Sequence, residues 1–332
     1  MHAVRLHAFG PAENLVYEET ADPVPAPGQV RIAVAAAGVH LIDTVLREGE
    51  QGPFPAPVEL PTIPGREVAG TVDRLGEGTD PGWLGKRVVA HLGMVPGGYA
   101  ELAVTDTARL HEIPDRLDAA EAVAMIGTGR TALGILQSSA LRPGDTALVL
   151  AAAGGIGTLL VQHARTAGAT VVGLAGGPGK TALVRANGAD LAVDYLRPDW
   201  PEQVRAYLGE RRVTEVFDGL GGDTARAAVD LLGPGGRHLG YGWAGKGLRD
   251  GEPLIVTEEE QADRAITSLQ VLGPEMIRKA GGDIRNLELR SLAEAAAGRL
   301  RPAVQRFPLA EAAAAHLALE TRATVGKVVL VP

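Results

Sequence analysis

The residues of this 332-residue chain that carry the clearest chemistry lie in TALVLAAAGGIGTLLVQHARTAG at 146–168. A short apolar run enters small residues and then a helix-forming stretch. A strand, turn and helix of this kind binds a pyrophosphate, because the free N–H groups and partial positive charge of the helix N-terminus face the phosphates. Gly154 lets the backbone approach the pyrophosphate, and Gly157 lets the helix pack closely on the strand. Gly155 and Ile156 complete the turn, and Ala152 stands where the first glycine of the fingerprint usually is. This context argues for a dinucleotide cofactor over a merely structural turn. Charge then argues its phosphate state. An NAD site usually places Asp or Glu about 20 residues onward, against the ribose 2′-hydroxyl. From 158 to 189 there is no acidic residue, but Arg165, Lys180 and Arg185 are present. LAGGPGK at 174–180 leaves a glycine-lined space, Gly176 included, beside Lys180. A 2′-phosphate suits that space, so NADP is expected.

The elements that must position this loop are legible in outline. The length favours two domains. Before about residue 120, β-branched apolar runs at 29–37, 67–75 and 87–91 are separated by PVPAPG, GPFPAP and LPTIPG, which predicts a small barrel-like β domain. From 117 to 137 the chain is Ala-rich and helical in composition. Apolar runs near 146–150, 170–174, 193, 213–217, 237–241 and 266–272 then alternate with helical stretches, which predicts a doubly wound parallel sheet. Two helices, at 289–297 and 310–320, and a strand at 326–331 close the chain. Residues 146–164 carry no Asp, Glu, Lys or Arg and approach the roughly 18–20 residues of a membrane span, but three glycines interrupt them.

Composition excludes other classes. With no cysteine, disulfides, thiolate zinc, iron–sulfur clusters and a cysteine nucleophile are ruled out. The net charge of −8 makes nucleic acid and membrane surfaces poor partners. The N-terminal residues have no apolar signal region, and a cytoplasmic location is expected.

The chain resembles the zinc-independent quinone oxidoreductases, the zeta-crystallin-like branch of the medium-chain dehydrogenase/reductase superfamily. The resemblance rests on AAGVHLIDT (36–44), LPTIPGREVAG (60–70), GGYAEL (97–102), TGRTAL (128–133), AAAGGIG (151–157), DGLGGDT (218–224), LLGPGGR (231–237) and HLALETRATVGKVVL (316–330), in that order. It implies a GroES-like, β-rich catalytic domain from residues 1–122 and 273–332, a Rossmann domain at 123–272, NADPH in the cleft between them, and a homodimer. Carried across position by position, it places Ala152 and 154–157 at the pyrophosphate and Lys180, Tyr195 and Arg322 at the 2′-phosphate end. Thr128 and Thr131 fall at the nicotinamide side, and Tyr241, Gly242 and Trp243 in the loop flanking the cofactor.

Two departures bear on chemistry. Zinc-dependent relatives carry Gly-His-Glu where this chain has Gly65-Arg66-Glu67; with only His40 and His91 as further candidates, no metal is expected. The family's Gly-Val-Asn-x-x-Asp-Thr-Tyr reads Gly38-Val39-His40-Leu41-Ile42-Asp43-Thr44-Val45 here. Asn has become His40 and Tyr has become Val45, which removes one proton donor and offers an imidazole in exchange. Asp43 is either a proton-handling carboxylate or a turn and helix cap. Arg130 faces either a substrate or the surface. The expected activity is NADPH-dependent, metal-free hydride transfer to a quinone or another conjugated carbonyl. The alternatives are an enoyl-thioester reductase and an NADPH-binding protein with little catalysis.

Overall fold

The computed structural model of the chain describes residues 1–50, 58–93, 96–246 and 250–332. Seven strands come first: β1 (His2–Leu6), β2 (Leu15–Glu19), β3 (Gln29–Gly38), β4 (Glu67–Leu75), β5 (Arg87–His91), β6 (Leu102–Asp106) and β7 (Leu110–Glu112). Six follow: β8 (Thr146–Val149), β9 (Thr170–Ala175), β10 (Leu191–Asp194), β11 (Val213–Asp218), β12 (Leu232–Gly240) and β13 (Thr267–Gln270). β14 (Val304–Pro308) and β15 (Lys327–Val331) end the chain. Two compact units result: residues 1–128, 291–297 and 302–332, and residues 129–290 and 298–301.

The first unit is a mainly antiparallel sheet in the order β14-β15-β3-β4-β5-β7, in which only β14 and β15 run parallel, with β6 pairing the first half of β3 and β1 and β2 forming a separate hairpin. Alternation along β3 turns Val30, Ile32 and Val34 inward, onto Val68, Val88 and Leu330. β3 runs antiparallel to both β4 and β15, with Ala37 opposite Val68 and Gly38 opposite Val329. The end of β3 therefore meets the starts of β4 and β15. This register decides the chemistry described below.

A buried polar chain ties helix Leu41–Arg47 to helix Ala312–Glu320. Arg47 is 2% exposed and reaches Glu320 at 2.6 Å and the Gly10 carbonyl at 2.9 Å. It also faces His316 Nδ1 at 3.5 Å; His316 Nε2 lies 3.2 Å from the Tyr99 hydroxyl, which donates to Asp43 at 3.0 Å. Arginine only donates, so these partners assign a neutral His316 with its hydrogen on Nε2. Burial pushes the His316 imidazole down to about 4, the Asp43 carboxylate opposes and the Arg47 guanidinium assists. Burial, then Asp43, hold the Tyr99 phenol well above its ordinary range.

The second unit is a six-stranded parallel sheet in the order β10-β9-β8-β11-β12-β13. One face carries Leu148, Val172, Trp200, Val204 and Val216; the other carries Val149, Leu160, Val171, Val184 and Phe217. The strand order reverses between β8 and β11, the position where doubly wound sheets bind ligands at the carboxyl ends of their strands. On β12, the fully buried His238 bridges Asp218 at 3.2 Å and Ser268 at 2.8 Å, joining the last three strands of the sheet.

The stretch at 117–137, helical in composition, forms helix Ala119–Ala124, a π-helical turn at Met125–Gly129 and helix Arg130–Leu136, with glycines at 127 and 129 in the turn. Residues 273–290, expected with the β domain, fall in the sheet unit. Helix Pro274–Lys279 packs there on Arg130–Leu136 so tightly that a Cβ on Gly134 would lie 2.3 Å from Met276 Sδ. The hairpin β1–β2 and strand β14 have no counterpart in the sequence reading. GPFPAP, at 52–57, lies outside the described residues.

His316 gives a pH prediction. Its folded-state pKa is depressed, so only the unfolded chain binds the proton between about pH 6.5 and pH 4. The contribution is complete above pH 6.5 and is lost on acidification through that window, at up to about 1.4 kcal/mol per pH unit. Urea unfolding at closely spaced pH values is expected to show this slope, and His316→Gln to lack it.

Candidate functional site

The expected cofactor residues of the sheet unit gather at the carboxyl ends of its strands. β8 ends in a turn where Ala151 adopts φ +50°, a left-handed conformation unusual for a residue with a side chain. Gly154 N–H donates to the Ala151 carbonyl at 2.9 Å and caps helix Gly155–Thr166. A Cβ on Gly157 would lie 2.3 Å from that carbonyl and 2.7 Å from Ala152 Cα, so the helix can approach the strand only if residue 157 is glycine. Ala152, Gly154, Gly155, Ile156 and Gly157 are thus together in the strand–turn–helix that the sequence predicts.

Gly176 follows β9, and Lys180 lies in the first turn of helix Pro178–Ala186. A Cβ on Gly176 would stand 3.4 Å from the Tyr195 hydroxyl, so Gly176 and Tyr195 are neighbours. The other two cations of the predicted pocket are engaged elsewhere: Arg165 pairs with Asp190 at 2.7 Å, and Arg185 donates to the Ala192 carbonyl at 3.0 Å. The surroundings are also not free of acid. Asp194, from the end of β10, accepts from the backbone of Gly177 at 2.9 Å and Leu196 at 3.0 Å, beyond the window read in the sequence. Those two N–H groups satisfy its carboxylate locally.

Tyr241, Gly242 and Trp243 continue from β12 along 218–221, with Tyr241 N–H bonded to the Asp218 carbonyl at 2.8 Å. A Cβ on Gly219 would lie 2.6 Å from the Tyr241 ring, and the Tyr241 hydroxyl points to the Leu150 carbonyl at 3.5 Å. Burial, then Asp218, push its phenol above the ordinary tyrosine range. Trp243 is exposed. Thr131 lies on helix Arg130–Leu136 of this unit; Thr128, which is buried, and Arg322, which is exposed with φ +55°, belong to the other. Arg130 pairs with the buried Glu288 at 2.7 Å and so does not lie free at the surface.

In the first unit, register brings three ionisable groups into contact. His40 follows β3, Glu67 opens β4 and Lys327 opens β15. His40 Nε2 is 2.7 Å from Glu67 Oε1; Lys327 Nζ is 2.9 Å from Glu67 Oε2 and 2.8 Å from His40 Nε2. Glu67 is fully buried and Lys327 4% exposed, whereas a third of the His40 side chain is exposed. Lys327 and His40 also share a hydrogen bond at the edge of the carboxylate. Burial raises the pKa of Glu67, but the charges of His40 and Lys327 outweigh it and hold the carboxyl well below the ordinary range. Gly38 and Gly127 make the space: a Cβ on either would lie 2.3 Å or 1.5 Å, respectively, from a Glu67 oxygen. Neither Glu67 nor Lys327 was picked out from the sequence. The available signal was a lone charge at the head of an apolar strand, in EVAGTV and in GKVVLV.

Asp43 has a structural placement. Its Oδ2 accepts from the His40 backbone at 2.8 Å, capping helix Leu41–Arg47, and from Tyr99; Arg66 lies 3.4 Å from Oδ1.

The geometry does not fit a zinc ion. The position that would supply a ligand histidine is Arg66, directed at Asp43, and the Lys327 ammonium lies against both His40 and Glu67. A divalent cation there would be repelled by a fixed positive charge, with at most two suitable ligands at hand. Among the described residues, no group of three His, Asp or Glu side chains is placed to hold a metal.

A mainly antiparallel β unit followed by a doubly wound parallel sheet with a glycine-rich strand–turn–helix defines a two-domain dehydrogenase/reductase. The alcohol dehydrogenase GroES-like domain matches residues 26–115, and the zinc-binding dehydrogenase domain matches residues 155–278. A 2-haloacrylate reductase of Burkholderia sp. is 34% identical, covering 99% of this chain and 98% of its own. The quinone oxidoreductase of Pseudomonas aeruginosa is 32% identical, covering 99% of each. The crystal structure of Escherichia coli quinone oxidoreductase complexed with NADPH superposes with a TM-score of 0.83 over the whole of both chains, at 26% identity. The chain belongs to the quinone oxidoreductase family of the medium-chain dehydrogenase/reductase superfamily.

Proposed function

We propose that this protein is an NADPH-dependent, metal-independent reductase of quinones and other conjugated carbonyl compounds, with His40 as its proton donor. The observation that carries this reading is a partly exposed imidazole in contact with a buried carboxylate and a buried ammonium, in a chain that also carries a dinucleotide-binding turn. Bound NADPH supplies a hydride. The chain's own residues hold the pyrophosphate at 152–157, set Lys180 and Tyr195 toward the 2′-phosphate end, and offer a proton at His40. A hydroquinone anion leaves without immediate protonation, whereas an enolate must take a proton to complete reduction of the carbon–carbon double bond. Positioning and local dryness supply the rest. The 2-haloacrylate reductase among the relatives favours activated alkenes beside quinones. The site residues Asp43 and Tyr99 act in this reading as supports of the His40 backbone.

Several coarser properties go with the proposal. The edge strand β13 offers pairing to a second copy, which supports a homodimer. The acidic net charge and the absence of cysteine support a cytoplasmic protein that does not bind nucleic acid. Among the described residues, no helix is long and apolar enough to cross a membrane.

Dialysed protein is expected to contain no stoichiometric zinc and to keep its turnover in chelator; one zinc per chain by elemental analysis would refute metal independence. Lys180→Ala is expected to weaken NADPH by about 10–150-fold, the worth of one charge-assisted hydrogen bond, and to leave NADH nearly unchanged. Titration of both cofactors against both proteins checks this, and equal wild-type affinities would defeat it. His40→Asn is expected to lower kcat for enones by about 10²–10⁴-fold and for quinones by far less, in steady-state NADPH oxidation. Equal losses on both substrates would remove His40 as the donor.

A further inference from the structure

The two ring nitrogens of the buried His238 reach opposite neighbours. Nε2 lies 3.2 Å from Asp218 Oδ2, at the end of β11, and Nδ1 lies 2.8 Å from Ser268 Oγ on β13. A carboxylate only accepts, so Nε2 donates to Asp218, while the Ser268 hydroxyl can donate or accept and adapts to Nδ1. The other oxygen of Asp218, Oδ1, accepts from the backbone N–H groups of Leu220 at 2.8 Å and Gly221 at 2.9 Å. One buried carboxylate thus joins the imidazole to the turn that follows β11. That turn is the seat of the segment after β12. Tyr241 N–H donates to the Asp218 carbonyl at 2.8 Å, Ala244 N–H to the Gly219 carbonyl at 3.0 Å and Gly245 N–H to the Leu220 carbonyl at 2.8 Å. The fit leaves no spare volume. Gly221 holds φ +65°, and a Cβ on it would lie 3.0 Å from Trp243 Cβ and 2.2 Å from the Glu252 carbonyl oxygen. A shift of the Asp218 carboxylate would therefore move the Leu220 and Gly221 amides, and Tyr241 to Trp243 with them. The far side of the ring is anchored. Ser268 N–H donates to Gln261 Oε1 at 2.8 Å, and Gln261 Nε2 donates to the Val256 carbonyl at 3.0 Å.

We infer that His238 is a positioning residue for the cofactor: through Asp218 it fixes the turn at 218–221, and that turn holds Tyr241, Gly242 and Trp243 in the conformation that receives NADPH. The inference rests on the reading of those three residues as the loop flanking the cofactor. Being fully buried, His238 acts only through Asp218. Its contribution belongs to NADPH affinity and not to the hydride or proton step.

Two substitutions separate this role from general stabilisation of the sheet. A glutamine amide can donate to Asp218 as Nε2 does, and leucine cannot. In the cofactor-free protein, hydrogen exchange at the amides of Leu220, Gly221, Ala244 and Gly245 is expected to quicken by about 10-fold or more in His238→Leu, to return toward wild type in His238→Gln, and to stay unchanged on β8 and β9. Titration with NADPH is expected to give a Kd raised by about 10-fold or more in His238→Leu and nearly wild type in His238→Gln, the worth of one hydrogen bond to a charged group. In steady state the KM for NADPH rises with it, while kcat on a saturating quinone is kept. Wild-type exchange or a wild-type Kd in His238→Leu would overturn the inference, as would equal acceleration on β8 and β9 or a glutamine variant as weak as the leucine one. If His238→Leu does not fold, Ser268→Ala, which frees Nδ1 from its anchor, is expected to shift exchange and Kd in the same direction, and wild-type values there would overturn it. A weakened NADPH in Trp243→Ala beside a wild-type Kd in His238→Leu refutes the positioning role alone. Wild-type NADPH affinity in Trp243→Ala and His238→Leu alike, with quickened exchange in the latter, refutes the reading of the loop beneath it.

Discussion

A carboxylate with no exposure to water must find its compensation inside the protein, and Glu67 imposes that demand on the whole β unit. Two charges answer it from distant parts of the sequence, His40 at the end of β3 and Lys327 at the start of β15. Removing one partner of such a buried set typically costs about 3–5 kcal/mol, because the survivor is left uncompensated. The C-terminal strand is therefore bound to the first half of the chain by charge as well as by its ladder with β3. Space is the second condition. Gly38 and Gly127 leave room for the carboxylate, and any side chain there would displace it. In the same arrangement His40 is the one partly exposed member.

The sheet unit follows a different rule, that of close backbone approach. Its phosphate-binding turn has little side-chain chemistry. It depends on Gly157 beneath the Ala151 carbonyl, on Gly154 at the helix N-terminus, and on a left-handed Ala151 that costs on the order of 1 kcal/mol. Around it, polar residues are spent on architecture. Arg165, Arg185, Asp190 and Asp194 all bond to neighbouring strands or to their own backbone, and His238 joins Asp218 to Ser268 across the last three strands. Lys180 lies in the first turn of helix Pro178–Ala186, at the carboxyl end of the sheet.

The division of labour in the proposed reaction matches this contrast. One unit orients a cofactor whose chemistry is its own, through geometry that tolerates almost no added volume. The other manages a single proton through charges that are buried and closely set. Substrates differ in how much they need the second unit. A quinone product is already a stable anion, whereas a reduced enone is complete only after carbon is protonated.

The sequence by itself determined the phosphate-binding turn, the alternation of strands and helices that makes a parallel sheet, and the absence of any thiolate site. Each depends on residues adjacent in the chain, whose spacing expresses local geometry directly. It also pointed to His40, through what that residue replaces. It could not reveal the partners of His40. Glu67 and Lys327 are 27 and 287 positions away, and only the antiparallel register of β4 and β15 against β3 puts their side chains at one point. The fate of Asp43, drawn into a helix cap and a buried hydroxyl, and of Arg130, paired with Glu288, was likewise decided by tertiary contacts. So was the placement of 273–290 on the sheet unit, where Met276 fits against Gly134. A charged side chain's role depends on what neutralises it, and that partner is supplied by packing between segments with no fixed separation in the sequence.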